Sequence, residues 1–375
     1  MSFIITHKDK KTKARIGILK TKSGNIETPF FMPVATKAAV KHISSEDLSS
    51  LGAKAIISNT FILHLSPGEK LIKKLGGIKK FMNFSGINAT DSGGFQMYSP
   101  SVYLYSNERG VMFKNPFNGD KLLITPEKDM KIQLDLGSDI AMCLDEMPLL
   151  SFSREKIKKA VERTADWARR CKAYHEQIQK NKEKHKRQLL FGITQGGIYL
   201  DLRKFSAGLL KEFDFDGYAI GGLALGETKK QEYNAIKAHK LIIPESKPCY
   251  LMGSGNPAEI LKAISLGVDM FDSRFPTQNA RRGTLFTCKG RIRIFNKKNK
   301  ASKEPIDKTC KCFVCRNYSK AYIAHLLKHE EGTGLHLATF HNLYFMQNLI
   351  SSAKTAIKKG KFSEFKKRAG IFYEK

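Results

Sequence analysis

Residues 189–223 read LLFGITQGGIYLDLRKFSAGLLKEFDFDGYAIGGL. Leu189–Gln195 and Gly217–Leu223 are short apolar runs, and each predicts a buried strand. Between them, the apolar residues of Asp201–Phe213 recur at helical spacing. Parallel strands need a crossover connection, which is usually a helix. The stretch therefore predicts a strand–helix–strand unit of a parallel sheet.

The same alternation runs along most of the chain. Further strands are predicted at Pro29–Ala35, Ala55–Asn59, Ile87–Asp91, Ile140–Asp145, Cys249–Gly253 and Met270–Arg274. Further helices are predicted at Ser44–Leu51, Pro67–Leu75, Pro126–Leu136, Arg154–Gln179, Lys229–Leu241 and Pro257–Leu266, several of them opening with start signals such as Thr-Pro-Glu. Eight strand–helix units favour a closed α/β barrel, the (β/α)8 TIM barrel, over an open doubly wound sheet.

Polar residues or glycines stand at the carboxyl ends of six predicted strands, and they are Asp91, Asp145, Gln195, Gly221-Gly222, Gly253 and Asp272. Aspartate and glycine are also common turn residues, so one such position means little. In a barrel, however, these strand ends converge on the face where active sites form. Their repetition predicts a shared site, and this placement favours the barrel.

Two segments interrupt the alternation. Phe95–Thr125 carries aromatic residues between Asn-Pro and Asn-Gly turns and predicts an inserted hairpin. After Arg274 come a basic, β-like stretch, a cysteine cluster, and helices predicted at Ser319–His329 and Leu343–Lys358. We expect a catalytic barrel over residues 1–275, and over 276–375 a basic segment, a zinc subdomain and a closing helix.

The charge predicts a polyanionic partner. Lys and Arg total 65 against 35 Asp and Glu, a net charge of +30, whereas solubility needs only about 2–8 on a small domain. Residues 281–300 hold eight basic residues and no acid, and Lys354–Arg368 forms a second cluster. Nucleic acid is the expected partner. No apolar run is long enough to span a membrane, and the polar amino terminus lacks a signal peptide, so we expect a cytoplasmic protein without a membrane partner.

The cysteines predict a metal site rather than disulfides. Seven cysteines is an odd number, and three of them, Cys310, Cys312 and Cys315, lie within six residues. Zinc takes four tetrahedral ligands, and a site closed by four protein ligands is structural rather than catalytic. Spacing leaves the fourth ligand open among Cys288, His325, His329, His336 and His341, and a chance cluster of free thiols is the alternative.

Asp91 and Asp272 carry the expected chemistry. Cleavage of an N-glycosidic bond builds positive charge on the sugar, which one carboxylate can trap covalently while a second handles a proton. Asp145, with Gln195 and the Gly221-Gly222 backbone, can bind a purine-like edge. The glycine-containing loop from Gly253 lacks the features of a P-loop or dinucleotide fingerprint. It can still hold one RNA phosphate before a helix.

Eight motifs together resemble one family over residues 4–367. They are Asp91-Ser-Gly-Gly-Phe-Gln96, Leu144-Asp-Glu146, Gln195-Gly-Gly197, Gly221-Gly-Leu-Ala-Leu-Gly-Glu227, Leu251-Met-Gly253, Asp269-Met-Phe-Asp272, Cys310-x-Cys-x-x-Cys315 and His341-Asn-Leu343. In this order they are similar to the tRNA-guanine transglycosylases, also called queuine tRNA-ribosyltransferases, of bacterial type. The resemblance implies exchange of guanine at the anticodon wobble position 34 of GUN-anticodon tRNAs for a 7-deazaguanine base, preQ1 or queuine, in queuosine biosynthesis.

The resemblance also implies residue roles. Asp272 becomes the nucleophile that holds the ribose, and Asp91 the proton acceptor. The base-binding residues become Asp91, Ser92, Phe95, Asp145, Gln195, Gly222, Leu223 and Met252. The RNA-binding residues become Gly253, Ser254, Gly255, Asn256, Pro257, Ala258, Glu259, Thr277, Gln278, Asn279, Ala280 and Arg281. One structural Zn²⁺ per subunit falls to Cys310, Cys312, Cys315 and His341, and a homodimer is expected.

Several residues depart from the bacterial pattern. Phe95 stands where Tyr is common, Met147 where Cys is usual, and Gln278 where an arginine touches the anticodon loop. Arg274 or Arg282 is then the expected substitute for that arginine. Leu225 stands where a smaller residue would leave room for queuine, which favours preQ1.

Three other functions compete with wobble-base exchange. An archaeosine-type enzyme acting on D-loop guanine 15 usually carries extra carboxyl-terminal RNA-binding domains, and none follows Lys375. A non-catalytic tRNA-binding subunit of a heterodimer would lack the catalytic carboxylates, whereas Asp91 and Asp272 are both present. A nucleosidase without an RNA partner is disfavoured by the basic charge.

Overall fold

The computed structural model describes residues 2–93, 99 and 101–373. Its centre is a closed barrel of eight parallel strands, which confirms the barrel and excludes the open sheet. In chain order the barrel strands are β4 (Phe30–Ala35), β5 (Ala55–Asn59), β6 (Ile87–Asp91), β10 (Ile140–Met142), β11 (Leu189–Thr194), β12 (Gly217–Ile220), β13 (Cys249–Leu251) and β14 (Met270–Ser273). β14 pairs with β4 and closes the ring.

The helices predicted between the strands are all present. Their bounds are Ser45–Ser50, Glu69–Lys74, Pro126–Leu136, Arg154–Gln179, Leu200–Lys211, Lys229–Ile242 and Pro257–Ser265. The start signals act as N-caps, since Ser44, Thr125 and Asn256 each accept a backbone N–H of the first turn. Within the described residues, sequence reasoning missed the short helices Thr60–Leu65, Ile78–Met82, Phe275–Arg281, Phe313–Asn317 and Phe362–Gly370, and the 3₁₀ turns Lys184–Lys186 and Lys297–Asn299.

Several strands end earlier than predicted. β10 stops at Met142 rather than Asp145, and β12 stops at Ile220 rather than Leu223. At Gly222 the backbone has a φ of 63°, which takes the chain out of the extended conformation. Asp145, Gln195, Gly221-Gly222 and Gly253 therefore lie in the loops just beyond the barrel, whereas Asp91 and Asp272 lie within the last residues of their strands.

The interior of the barrel is apolar, and an antiparallel sheet that the sequence did not predict covers its amino-terminal end. This sheet contains β1 (Phe3–Lys8), β2 (Arg15–Thr21) and β3 (Gly24–Thr28). Its side chains Phe3, Leu19 and Ile26 form one buried cluster with residues of the barrel strands. This sheet closes the apolar interior of the barrel at its amino-terminal end.

The insertion after β6 is larger than a hairpin. β7 (Tyr103–Asn107), β8 (Gly110–Lys114) and β9 (Lys121–Ile124) form a three-stranded antiparallel sheet. The prediction of two strands was therefore wrong, because the Asn-Pro and Asn-Gly turns join only β8 to β9. The insertion packs on the barrel layer through Phe113, whose ring centroid lies 4.4 Å from that of Phe61.

The carboxyl-terminal region packs directly on the barrel. A hairpin of β15 (Thr284–Thr287) and β16 (Gly290–Arg293) precedes the helices Phe313–Asn317, Lys320–Lys328, Gly332–Lys358 and Phe362–Gly370. The third helix begins at Gly332 rather than at Leu343, because Leu337 and Phe340 extend its buried face. One apolar cluster runs from this helix into the barrel layer. The division at residue 275 therefore stays a prediction. In the described chain, no helix combines the length and apolarity that a membrane crossing requires.

Candidate active site

Three carboxylates predicted from the sequence line one cavity of about 540 Å³ at the carboxyl-terminal end of the barrel. They are Asp91, Asp145 and Asp272, which follow or end β6, β10 and β14. Gly222, Leu223, Met252 and Ser92 line the same cavity. The strand ends thus bring together residues that are up to 181 positions apart in sequence (272 − 91).

Asp91 is held by the last residue of β5, by the first residue of the helix Thr60–Leu65 and by the backbone just after β6. The amide Nδ2 of Asn59 donates to both carboxylate oxygens at 3.0 and 2.9 Å. The backbone N–H groups of Thr60 and Gly93 donate to Oδ1 at 3.2 and 3.0 Å. Burial nevertheless raises the pKa of Asp91 to about 7, and the nearby negative charge of Asp272 adds to the rise. A carboxyl group with this pKa can accept and release a proton near neutral pH.

Asp145 is buried beside two neutral donors. The Ser92 hydroxyl donates to Oδ1 at 2.9 Å, and the Gln195 amide donates to Oδ2 at 2.5 Å. Burial raises the pKa of Asp145 to about 6. Gln195 does not itself line the cavity, but it fixes Asp145 from behind, and its Oε1 accepts no hydrogen bond from the described residues.

Asp272 is anchored through one oxygen. The Tyr250 hydroxyl and the Gly253 backbone N–H both donate to Oδ1, at 2.5 and 2.9 Å. Burial raises the pKa of Asp272, while these two hydrogen bonds and the positive charge of Arg274 oppose the rise. The anchoring fixes the rotation of the carboxylate and leaves Oδ2 outside this pair of hydrogen bonds.

Sequence reasoning missed the residues that hold the loops in place. Arg203 is fully buried and donates to the carbonyls of Gly197, Thr194, Gly221 and Gly222 at 2.7–3.2 Å. Burial lowers its pKa to about 9. The sequence did carry a signal for Arg203, because this charged residue lies on the same helix face as the apolar Ala207 and Leu210. Tyr250 and Asn59 gave no signal, because each reads as an ordinary strand residue.

Gly222 meets a steric requirement at the same place. A Cβ built on Gly222 would lie 2.3 Å from Oε1 of Gln195, which is closer than real Cβ contacts. Glu227 fixes the following turn by accepting from the backbone N–H groups of Ala224 and Leu225, at 2.6 and 3.0 Å. The Gly-Gly-Leu-Ala-Leu-Gly-Glu motif is therefore one rigid wall of the cavity.

The residues expected to bind RNA differ in exposure. Gly253 and Gln278 are exposed, and Asn256, Ala258, Glu259, Asn279 and Arg281 are half-buried. Ser254, Gly255, Pro257, Thr277 and Ala280 are buried, so their side chains are not at the surface. Arg274 and Arg282 are both exposed. Phe95, expected to stack on the base, lies outside the described residues.

The cysteine cluster gathers around one histidine. The Sγ atoms of Cys310, Cys312 and Cys315 lie 3.9, 3.5 and 3.4 Å from Nδ1 of His341. The Nε2 atom of His341 lies 2.7 Å from the Phe286 carbonyl oxygen. That carbonyl can only accept, so Nε2 carries the proton and Nδ1 turns its lone pair to the thiols.

The spacing of these four atoms fits a metal ion. Zinc bonds are about 2.3 Å to sulfur and about 2.0–2.1 Å to nitrogen. At tetrahedral angles, these bonds place a ligand sulfur and a ligand nitrogen about 3.6 Å apart. The other candidates are engaged elsewhere. Cys288 contacts Asp307, His336 contacts the carbonyl of His42, and the rings of His325 and His329 lie 4.8 Å apart. The cluster Cys310, Cys312, Cys315 and His341 can therefore hold one metal ion.

Comparison with known proteins shows the family to which the chain belongs. A family model described as queuine tRNA-ribosyltransferase matches residues 9–374. The chain belongs to the queuine tRNA-ribosyltransferase family. The queuine tRNA-ribosyltransferase of Lysinibacillus sphaericus (strain C3-41) is 45% identical over 371 residues, which cover 99% of this chain and 95% of that protein. Those of Staphylococcus aureus strains JH9 and N315 are 46% identical over 357 residues, covering 95% of this chain and 92% of theirs.

Family membership confirms the resemblance seen in the sequence. The family members with these printed names act as ribosyltransferases on tRNA. A cavity lined by three aspartates at the carboxyl end of a barrel is consistent with an enzyme of this family.

Proposed function

We propose that the protein exchanges guanine at wobble position 34 of GUN-anticodon tRNAs for a 7-deazaguanine base, in queuosine biosynthesis. The observation that carries this proposal is the carboxylate pair, Asp91 and Asp272, in one cavity of a family member. A non-catalytic tRNA-binding subunit has no need of both carboxylates.

Asp272 is the proposed nucleophile. Its Oδ1 is anchored by Tyr250 and Gly253, so Oδ2 is the oxygen that we assign to attack on ribose C1′. The Oδ2–C1′ bond forms as the C1′–N9 bond to guanine breaks, and guanine leaves with the bonding electron pair and takes up a proton. The incoming base then loses its N9 proton and attacks C1′, which releases the Asp272 carboxylate.

Asp91 is the proposed proton acceptor for the incoming base. A base works best when its pKa lies near the operating pH, and the pKa of Asp91 is raised to about 7. The hydrogen bonds from Asn59 and two backbone N–H groups keep its carboxylate at the wall of the cavity. Asp91 can therefore take up the proton without moving.

Asp145 is the proposed reader of the base edge. Its carboxylate can accept from guanine N1–H and the 2-amino group, which 7-deazaguanines share. Gln195 and Ser92 position it, Gly222 and Leu223 supply backbone groups, and Met252 lines the cavity beside the ring. Phe95 is the second residue that we propose to stack on the ring, from the family pattern alone. Leu225 also lines the cavity, which supports preQ1 rather than queuine as the incoming base.

The tRNA is proposed to bind across the exposed, basic face beside the cavity. Arg274 and Gln278 are exposed and line the cavity together with Gly253, Asn256 and Glu259. Arg282 is exposed at the end of the helix Phe275–Arg281. Lys and Arg side chains contribute to RNA affinity through the phosphates. We further propose a homodimer that acts in the cytoplasm.

One exchange assay tests the function. Labelled guanine, preQ1 and queuine are each offered with a tRNA bearing a GUN anticodon, and the labelled position is mapped. We expect incorporation of guanine and preQ1 at position 34. Incorporation at guanine 15 would instead indicate an archaeosine-type activity, and no incorporation with any base would contradict the proposal.

We also propose that the Cys310–His341 cluster holds one structural zinc ion, with four protein ligands and therefore no open position for catalysis. Metal binding is then coupled to local folding. Cys312→Ala or His341→Ala should lose about one zinc per chain by elemental analysis and loosen residues 308–343, with the barrel still folded. His325→Ala is the matched control and should keep the metal. Zinc-free wild-type protein with full activity would contradict the assignment.

A further inference from the structure

Arg203 is a buried cation behind the wall of the active-site cavity. Its side chain is fully buried on the helix Leu200–Lys211, and it does not line the cavity. Burial lowers its pKa to about 9, and the negative charge of Glu227 opposes this change. A buried guanidinium without a paired carboxylate is costly. Among the described residues, the acceptors that hold Arg203 are backbone carbonyls.

These carbonyls belong to the loops that follow two neighbouring strands. After β11, Nε donates to the carbonyl of Gly197 at 2.8 Å and Nη1 to that of Thr194 at 3.1 Å. After β12, Nη1 donates to the carbonyl of Gly221 at 2.7 Å and Nη2 to that of Gly222 at 3.2 Å. The rigid guanidinium fork therefore ties the two loops together, which the single ammonium of a lysine cannot do in the same geometry.

The contacts after β12 set the direction of two peptide groups. In a planar trans peptide, the C=O and the N–H of the next residue point in opposite directions. The carbonyls of Gly221 and Gly222 turn to Arg203, so the N–H groups of Gly222 and Leu223 turn away from it. Gly222 and Leu223 line the cavity, and neither N–H donates to a residue that the structure describes. These two donors are therefore available to a ligand in the cavity.

The following turn is held from the other side. Glu227 accepts from the N–H groups of Ala224 and Leu225, at 2.6 and 3.0 Å. Arg203 thus restrains the carbonyls of this wall, and Glu227 restrains the N–H groups beyond them. A wall that presents N–H donors selects a ligand with an acceptor, such as the O6 oxygen of guanine. An amino group in place of O6 would set donor against donor and leave buried polar groups unpaired.

We propose that Arg203 is a positioning residue that turns the N–H groups of Gly222 and Leu223 toward the cavity and thereby selects bases with an oxygen at position 6. The inference rests on the proposed function for the class of ligand, a guanine-like base. It adds a source of selectivity that does not touch the base. Without Arg203, the glycine pair Gly221-Gly222 is free to rotate its peptide groups, because glycine tolerates many backbone conformations. The wall can then present a carbonyl instead of an N–H.

Base binding to the full-length protein without tRNA tests this proposal. Equilibrium dialysis with labelled guanine, and competition by 2,6-diaminopurine, give the ratio of the two dissociation constants. The wild type should prefer guanine, and Arg203→Lys and Arg203→Met should each reduce this preference by about tenfold or more. A merely structural role would lower the amount of folded protein and leave the ratio unchanged. Arg15→Lys is the matched control, since it changes a buried arginine that pairs with Asp269 at the other end of the barrel, and its ratio should equal that of the wild type.

A measurement on the wild type keeps the proposal testable if the Arg203 variants do not fold. Hydrogen–deuterium exchange of the segment 221–225 should slow when guanine is added, because the N–H groups of Gly222 and Leu223 gain an acceptor. No slowing at saturating guanine, equal wild-type affinity for the two bases, or a wild-type ratio in both Arg203 variants would overturn the proposal. Base-exchange activity is not a readout here. A protein that binds guanine selectively but exchanges no base would contradict the proposed function alone.

Discussion

The two ends of the barrel carry the same side chain in opposite settings. Asp269 and Asp272 are three residues apart: Asp269 immediately precedes strand β14, and Asp272 lies near the end of that strand. Asp269 is fully buried and pairs with Arg15 through two hydrogen bonds, and it also accepts from the Cys249 N–H at 2.8 Å. Asp272 accepts from a tyrosine hydroxyl and one backbone N–H, and it lines a cavity.

The same contrast holds for the other strands. At the amino-terminal end, Asp139 accepts from the Asn88 N–H at 2.9 Å and Asp216 from the Leu190 N–H at 3.0 Å. At the carboxyl-terminal end, burial raises the pKa of Asp91 and Asp145 to about 7 and about 6. At the amino-terminal end, Asp139 and Asp216 tie neighbouring strands together through backbone N–H groups, whereas Asp91 and Asp145 at the carboxyl-terminal end line a cavity. Such raised pKa values are typical of groups that act on a substrate.

The largest expected effect comes from Asp272, at the carboxyl-terminal end of the barrel. Asp272→Ala should lower base exchange by at least about 10³-fold, because the covalent step needs that carboxylate. Folding and tRNA binding should stay close to those of the wild type. Asp272→Asn should be similarly inactive, since an amide is a poor nucleophile. A denaturing gel that shows a covalent tRNA adduct with the Asn variant would contradict the assignment.

Asp269, at the amino-terminal end of the barrel, should behave in the opposite way, because its loss should lower stability rather than exchange activity. Asp269→Ala leaves the Arg15 guanidinium buried without its partner, which costs about 3–5 kcal/mol of unfolding free energy. Urea unfolding should show this loss, while exchange per folded molecule stays near that of the wild type. An Asp269→Ala variant with wild-type stability and no exchange activity would contradict the structural role of Asp269.

The sequence predicted the barrel because apolar runs and helical spacing are local signals. All eight strands lie where they were predicted. Several predicted strands extend too far at the carboxyl end, because the chain leaves the sheet before Gly222 or a polar residue. The β1–β3 sheet was missed because its residues look polar until Phe3, Leu19 and Ile26 meet the barrel interior. Its pairing is antiparallel and depends on tertiary packing as well as on local pattern.

The site was predictable where the chemistry lies in one residue type. The aspartates at strand ends were found, whereas Tyr250 and Asn59 were not, because their roles depend on partners from other strands. The fourth member of the cysteine cluster is a different case. Spacing left five candidates and the family resemblance named His341, whose Nδ1 the fold brings to the three thiols.

The pH dependence of exchange separates the two ends further. The pKa of Asp91 is raised to about 7, so below that pH the group is protonated and cannot accept a proton. We expect kcat/KM to fall by about tenfold per pH unit below pH 7 and to level off above it. A profile that is flat over this range would remove Asp91 as the proton acceptor.

The smallest expected effect is on tRNA affinity, and it concerns the basic residues at the carboxyl-terminal end of the barrel. Arg282 is exposed and Arg281 half-buried, and Nη1 of Arg281 donates to no described residue. Changing both to Gln should weaken tRNA binding and reduce the slope of log K against log salt by about 1 to 2, because two phosphate contacts and their released counter-ions are lost. Lys182→Gln with Lys184→Gln removes the same charge just before β11, at the amino-terminal end. If that control pair changes the slope equally, the affinity reflects net charge rather than a binding face beside the cavity.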